Sequence, residues 1–414
     1  MDNTRKIKLG FSGGGFRATF YCLGAYRRLV ELGLHNSVSD ISSVSGGSIA
    51  AGAIMMALAD GDFNNIIDFD NRVTASVRRL GQINLRQKLL EEAYPLRGWK
   101  LIRLLPNFLG ELPRQRFSRL FPDLLDRELF HGKMMTELPT IPEWSCNATC
   151  LNTLKRFRFK VNDMYGNLLG TSTDIDDIKV AYTVAVSAAF PLLFAPIQFH
   201  VEKRKFYDKY GSSVYSTPPK YLYLTDGGVY DNLGSENILK DNDPFLIFDA
   251  SKANIPWNKD YIPSYGNINK RVLEVGLDQV VNLRRRLLFN QSNGKGMQLL
   301  IGTPINKIFE METKFRKHHR QLPQYCSDFS EIEKLIAEIR TDLNDFHDIE
   351  IDMLLWSGEI RMDLAIKSIL PEIVPLERWN DIPAFTSKYP ISKIEEILVK
   401  GKNLKKIGNL HINS

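Results

Sequence analysis

The first sixty residues alternate short apolar runs with longer amphipathic ones. The runs at about 6–11 and 38–43 are short and contain β-branched residues, which is typical of buried strands. Each is followed by a longer segment, over 16–33 and 47–59, in which apolar residues recur at helical spacing. Strands that alternate with helices predict an α/β protein with parallel strands.

Further along the chain, apolar runs predict strands near 145–151, 156–161, 178–184, 222–225 and 245–249. The segment from Leu273 to Leu288 reads as a long helix, and the residues after about 300 read as mixed and then helical. The sequence therefore predicts a three-layer α/β/α fold. We expect a catalytic domain over 1–300, with a helical basic insert at about 62–138, and a C-terminal helical extension over 301–414 packed on it.

Two small-residue turns follow the first two predicted strands. Ser45 lies in Ser43-Val44-Ser45-Gly46-Gly47, between a strand and a helix, which is the setting of a nucleophile elbow. Ser43 stands where the usual pattern has its first glycine. The run Gly13-Gly14-Gly15 lies between the first strand and its helix, where backbone N–H groups can approach a ligand. Neither the Walker nor the dinucleotide glycine pattern is matched, so we favour an oxyanion hole over a phosphate loop or a turn without a ligand.

A third turn carries an acid. A short apolar strand ends at Asp226, which is followed by Gly227-Gly228. Taken alone, this pattern is typical of a turn aspartate that binds its own backbone. Together with a serine on an elbow, the carboxylate becomes a candidate general base.

These motifs, in this order, resemble those of the patatin-like phospholipases. The resemblance rests on the loop 13–17, the elbow 43–48 and the Asp226-Gly227-Gly228 turn, and it extends over 146–153, 181–196 and 340–358. It implies acyl-ester hydrolysis by a Ser–Asp dyad, with Ser45 as nucleophile, Asp226 as base and no metal or organic cofactor. It also implies oxyanion donors at Gly13, Gly14 and Gly15, and supporting roles for Arg17, Gly46, Gly47, Gly227 and Gly228.

The histidines offer an alternative mechanism, a Ser-His-Asp triad. Its histidine would follow the acid in the chain, and His318, His319 and His347 do so. None of them follows a predicted strand in a glycine-rich loop. We therefore expect none of the three to be catalytic.

Charge is concentrated in the predicted insert. Residues 78–119 contain ten arginines and lysines but only three glutamates, in a chain of 414 residues whose formal net charge is +6. At the centre, Arg97, Trp99, Lys100 and Arg103 alternate with leucines and isoleucine. This mixture favours contact with an anionic membrane surface, and the alternative is an ordinary helical cap. Nucleic-acid binding is not expected, because no recognised module is present.

No signal peptide is visible, no apolar run is long enough to span a bilayer, and the four cysteines are scattered. We expect a cytoplasmic protein with peripheral membrane association that hydrolyses membrane phospholipids. The alternatives are a lysophospholipase or neutral-lipid esterase, and a scaffold or signalling effector with regulated activity, for example in anti-phage defence. The sequence predicts neither an oligomeric state nor an activating ligand.

Overall fold

The computed structural model describes residues 6–93, 111–191, 193–212, 219–239, 243–251, 264–292, 294–315, 320–325, 329–385 and 389–404. Its ten strands are β1 Ile7–Phe11, β2 Val38–Val44, β3 Glu143–Cys150, β4 Lys155–Phe159, β5 Met164–Gly166, β6 Gly170–Ser172, β7 Ile197–His200, β8 Tyr221–Asp226, β9 Phe245–Asp249 and β10 Gly296–Leu300.

The α-helices are α1 Gly15–Glu31, α2 Gly46–Ala59, α3 Ile66–Phe69, α4 Ala75–Gly81, α5 Leu85–Ala93, α6 Glu111–Leu125, α7 Val180–Ser187, α8 Gly228–Asp231, α9 Ser235–Ile238, α10 Tyr265–Gln291, α11 Ile305–Phe315, α12 Ser330–Glu338, α13 Asp348–Ile369 and α14 Ile391–Leu404.

One mixed sheet runs through the molecule in the order β10-β9-β1-β2-β3-β4-β5-β6. The pairs from β10 to β3 are parallel, and those from β3 to β6 are antiparallel. β8 joins β3, and β7 joins β8, both antiparallel. The carboxyl ends of β1, β2 and β9 therefore lie at one edge of the sheet, which is the usual place for a site in an α/β fold.

Helices cover both faces of this sheet. Alternate residues of β9 enter different apolar clusters, because successive side chains of a strand point to opposite faces. Leu246 and Phe248 belong to the main core, whereas Phe245 and Ile247 pack with Leu288 of α10 in a smaller cluster on the other face. The predicted three-layer α/β/α fold is confirmed.

One predicted strand is wrong. The segment 178–184 was expected to extend the sheet, but Val180–Ser187 forms the helix α7. Its valines, tyrosine and threonine favour strands by propensity, yet nearly all of its side chains are buried. Because α7 is enclosed rather than amphipathic, its sequence lacks the periodic pattern that would have indicated a helix.

The predicted C-terminal helices are present, and α13 packs closely along α1. The two backbones approach at two glycines: a Cβ on Gly24 would lie 2.1 Å from the Leu355 carbonyl oxygen, and one on Gly358 would lie 2.1 Å from that of Tyr21. A buried ion pair, 2.7 Å from the Arg28 guanidinium to the Asp363 carboxylate, links the same helices. The C-terminal extension therefore forms part of the core.

The described part of the insert is helical, as α3 to α6 show. Arg97, Trp99, Lys100 and Arg103 lie outside the described residues, so their predicted membrane contact stays a prediction. Within the described part of the chain, no helix is both long enough and apolar enough to cross a bilayer.

Candidate active site

Two strands approach each other head-on along one edge of β3. β2 runs parallel to β3, and its last residue, Val44, lies opposite Asn147. β8 runs antiparallel to β3, and its last residue, Asp226, lies opposite Ala148. Because Asn147 and Ala148 are consecutive, the residue that follows β2, Ser45, meets the end of β8.

Ser45 has an unusual backbone conformation. Its φ of 53° and ψ of −122° lie where a side chain is rarely tolerated. Its N–H donates to the Ser187 hydroxyl at 2.9 Å, which holds the turn in place. Such strain is typical of functional turns that the surrounding structure fixes. Ser45 thus stands between β2 and α2 as the predicted elbow requires.

The glycines beside Ser45 permit close packing between loops. A Cβ on Gly46 would lie 2.0 Å from the Gly15 carbonyl oxygen, and one on Gly47 would lie 2.5 Å from that of Phe11. Both obstacles are backbone atoms, which cannot rotate away. The elbow and the glycine-rich loop are therefore in direct contact, and this contact excludes larger residues at Gly46 and Gly47.

Ser43 has a structural role instead. Its hydroxyl accepts a hydrogen bond from the Trp144 indole at 2.9 Å and shares another with the Ser48 hydroxyl at 2.9 Å. The side chain is completely buried. A serine in place of the usual glycine is tolerated because its hydroxyl finds two partners under the elbow.

Asp226 lies beside Ser45 and is almost completely buried. Its carboxylate accepts a hydrogen bond from the Gly228 N–H at 2.7 Å, and the Ser45 hydroxyl lies near enough to interact with it. Burial raises the pKa of Asp226 to about 6, although the Gly228 N–H and the Ser45 hydroxyl both act in the opposite direction. A carboxylate with a pKa near 6 is ionised at neutral pH and is also basic enough to accept a proton.

The turn after Asp226 needs its two glycines. A Cβ on Gly227 would lie 2.5 Å from the Asn147 carbonyl oxygen, and one on Gly228 would lie 2.9 Å from the Asp226 carboxylate. The turn can therefore fold back closely enough for the Gly228 N–H to reach that carboxylate. The supporting roles that we predicted for these glycines fit this geometry.

The glycine-rich loop presents fewer amides than we predicted. The Gly13 N–H already donates to the Asn232 carbonyl oxygen at 3.0 Å, so in this arrangement it is not available to an oxyanion. Gly14 and Gly15 have positive φ values of 147° and 55°. Among the contacts of the described residues, no backbone acceptor is recorded for their two amides. The oxyanion-hole prediction is therefore narrowed to Gly14 and Gly15.

Arg17 supports the loop from within the core. It is completely buried, and its guanidinium donates to the carbonyl oxygens of Ile339 at 2.9 Å and Ala337 at 3.2 Å, and also to that of Ala250. Burial lowers the pKa of Arg17 to about 10, and the nearby Asp249 partly offsets this effect. Arg17 thus connects the first turn of α1 with the end of β9 and the C-terminal extension.

No histidine contacts Ser45 or Asp226 among the residues that the structure describes. The imidazole of His347 instead accepts the Ile349 N–H at 3.1 Å and caps the start of α13. His318 and His319 lie outside the described residues.

Two residues that support the site were not singled out from the sequence. Ser187 accepts the Ser45 N–H and donates to the Asn147 carbonyl oxygen at 2.6 Å. Asn232 holds Gly13 through its carbonyl oxygen and donates from its side chain to the Ser251 hydroxyl at 3.0 Å. Neither gave a clear sequence signal, because their partners come from distant segments.

A narrow apolar crevice lies where the insert, residues 193–194 and the C-terminal extension meet, and in this conformation it has no space for a water molecule. Its lining residues are Arg86, Leu89, Phe117, Leu193, Phe194 and Leu343.

Two segments that line the crevice also contact the candidate site. Leu343 follows Asp342, whose carbonyl oxygen accepts the N–H of Phe16, next to the glycine-rich loop. Leu193 lies close in the chain to Ala189, whose carbonyl oxygen accepts the Asp226 N–H at 3.1 Å.

The described residues contain no group of histidine, cysteine, aspartate or glutamate side chains suited to hold a metal ion. Cys22, Cys146 and Cys150 are buried free thiols.

Comparison with known proteins identifies the family. The model of the patatin-like phospholipases matches residues 9–237, more than half of the chain, and the match includes all three loops of the site. The chain therefore belongs to the patatin-like phospholipase family. A comparison with curated proteins gave no match.

Similar solved structures include human GIVD cytosolic phospholipase A2, at 13% identity and a TM-score of 0.49; the alignment covers 86% of this chain and 58% of that chain. The same enzyme in complex with methyl gamma-linolenyl fluorophosphonate gives 14% identity and a TM-score of 0.47, and the alignment covers 97% of this chain and 60% of that chain. VipD from Legionella pneumophila gives 12% identity and a TM-score of 0.30, and the alignment covers 97% of this chain and 88% of that chain. The chain thus spans less than two thirds of the phospholipase A2 chains.

Proposed function

We propose that this protein hydrolyses acyl esters of membrane phospholipids through a Ser45–Asp226 dyad. The observation that carries the proposal is the position of Ser45, on a strained elbow, next to the buried Asp226 carboxylate at the meeting ends of β2 and β8. A serine alcohol is a weak nucleophile and needs an adjacent base. The buried Asp226 carboxylate next to Ser45 supports its assignment as that base.

The reaction proceeds in two halves. The Ser45 oxygen attacks the ester carbonyl carbon while Asp226 takes the hydroxyl proton, and the carbonyl oxygen becomes an oxyanion near the Gly14 and Gly15 amides. The tetrahedral intermediate collapses as Asp226 returns the proton to the leaving alcohol, which leaves an acyl-enzyme on Ser45. A water molecule, deprotonated by Asp226, then releases the fatty acid. Neither half requires a metal or an organic cofactor.

We place the acyl chain of the substrate along the apolar crevice, whose walls have to separate to admit it. Leu89 lines it and is almost completely buried. Leu89→Trp should lower kcat/KM for a palmitoyl ester by roughly tenfold or more, because each buried methylene contributes about 0.8 kcal/mol. The kcat/KM for a butyryl ester should change little, since a short chain does not reach the crevice.

Gln87→Trp is the matched control, since Gln87 is exposed on the same helix. Measurement of kcat/KM for both variants with both esters tests whether the acyl chain lies in the crevice. An equal loss for long and short chains, or an equal effect of both variants, would mean that the acyl chain lies elsewhere.

The basic segment at the centre of the insert is proposed to contact an anionic membrane surface. Each cation near such a surface contributes about 1 kcal/mol. Changing Arg97, Lys100 and Arg103 together to glutamine should therefore weaken binding to anionic vesicles roughly a hundredfold, with unchanged hydrolysis of a soluble ester. Co-sedimentation measures the binding. Unaltered binding, or equal binding of wild type to neutral vesicles, would leave this segment as a helical cap.

The substrate class is tested by fatty-acid release from vesicles that contain phospholipid, lysophospholipid or triacylglycerol. We expect release from diacyl phospholipid by wild type and none by Ser45→Ala. Preferential cleavage of lysophospholipid or of neutral lipid would instead support the alternative enzymes. Absence of any ester hydrolysis would favour a scaffold or signalling effector on this fold.

A further inference from the structure

Two arginines on β4 converge on a single oxygen atom. Arg156 and Arg158 are alternate residues of the strand and so point to the same face of the sheet. The guanidinium of each donates to the Asn237 side-chain oxygen at 2.8 Å. Two like charges are therefore held side by side, which costs electrostatic energy unless an anion compensates them.

The described side chains compensate these charges only in part. Glu236 lies 3.5 Å from the Arg156 guanidinium, but it is shared with Arg284 of α10 at 3.4 Å. The nearby Asp231 carboxylate is occupied by the N–H groups of Leu233 and Glu236 and by the Ser235 hydroxyl. Arg156 and Arg284 thus share one contacting carboxylate, and among the described residues no ion pair is recorded for Arg158.

Donor atoms also remain without acceptors. The Nε atoms of Arg156 and Arg158 are buried and have no hydrogen-bond partner. The Arg156 side chain is only 5% exposed, and buried charged groups in proteins are normally paired. Burial lowers the pKa of Arg156, as does the neighbouring Arg158, whereas Glu236 raises it. An oxyanion would satisfy these donors, because guanidinium forks match phosphate geometry.

We propose that Arg156, Arg158 and Arg284 form a second ligand site that binds a phosphate group. The site is linked to Asp226 through the neighbouring strand β3. Arg156 neighbours Thr149 on β3, and the Thr149 hydroxyl donates to the Asp226 carbonyl oxygen at 2.8 Å. A phosphate bound there would contact the segments that carry the base, without occupying the position of the ester.

Binding is measured on the full chain by calorimetry and thermal unfolding with inorganic phosphate at constant ionic strength. Wild type should bind saturably and unfold at a higher temperature. Arg158→Gln should weaken the binding at least tenfold. Lys155→Gln is the matched control, because it removes one positive charge from the same strand but from its opposite face, and its affinity should stay within about twofold of wild type.

Arg284→Gln provides a second test on a separate helix, in case Arg158→Gln does not fold. Glycerol 3-phosphate and phosphatidate vesicles distinguish a soluble phosphate from a lipid headgroup, and arginine-dependent binding of either supports the site. No saturable binding of any of the three probes, or equal binding by wild type and both arginine variants, would overturn the proposal and leave the cluster as a structural contact. These measurements need no catalytic activity, so they are independent of the proposed hydrolysis.

Discussion

Replacing Ser45 by alanine should abolish hydrolysis of every acyl ester while leaving the fold intact. The substitution removes the hydroxyl that interacts with the Asp226 carboxylate, and loss of a nucleophilic serine costs about six orders of magnitude in rate in well-studied hydrolases. The side chain contributes little packing, because it lies at a turn. Ester hydrolysis and thermal unfolding of the purified variant measure both effects.

Two further substitutions sharpen this test. Ser43→Ala should retain catalysis with some loss of stability, since its hydroxyl holds Trp144 and Ser48. Ser45→Gly should be inactive but more stable than Ser45→Ala by about 1 kcal/mol, because glycine adopts the positive φ without strain. An active Ser45→Ala variant together with an inactive Ser43→Ala variant would show that Ser43, and not Ser45, is the nucleophile.

Asp226→Asn should lower kcat by roughly 10²- to 10⁴-fold, because an amide does not accept the Ser45 proton. In wild type, the base works only when ionised, so kcat/KM should rise with pH through an apparent pKa of about 6. The variant should lose this dependence. Full activity of Asp226→Asn, or a wild-type profile that is flat between pH 5 and 7, would exclude Asp226 as the base.

The same substitution should stabilise the fold at neutral and alkaline pH. Burial raises the pKa of Asp226 from 3.8 to about 6, so the folded state binds the proton more tightly than the unfolded state does. The resulting stability is fully present below pH 3.8 and is lost as pH rises through about 6. A neutral asparagine avoids this loss, which amounts to about 3 kcal/mol. Denaturant unfolding at pH 5 and pH 8 should show the variant gaining about twice as much at pH 8 as at pH 5.

The sequence predicted the loops of the site because their chemistry is local. An elbow needs small residues beside Ser45, and an acid at a strand end needs a turn, so both signals occupy a few adjacent positions. How Ser45 reaches Asp226 could not be predicted. That contact depends on β2 and β8 sharing one edge of β3, and such long-range pairing leaves no pattern in a single sequence.

The incorrect strand has the same origin. The composition of Val180–Ser187 favours a strand, but this segment forms a buried helix in the fold. The role predicted for Gly13 also depends on a distant residue, because its N–H donates to the carbonyl oxygen of Asn232 in this arrangement. Ser187 supports the elbow from a similar distance. Local chemistry thus indicates which residues form the site, whereas tertiary contacts decide which of their atoms are available.

The dyad is tested most directly by covalent labelling with an alkyl fluorophosphonate, which reacts with activated serines, followed by peptide mass spectrometry. We predict one adduct per chain, on Ser45. It should be absent in Ser45→Ala and form much more slowly in Asp226→Asn, with a labelling rate in wild type that rises through pH 6. An adduct on any other residue, or undiminished labelling of Ser45→Ala, would contradict the assignment of Ser45 as the nucleophile.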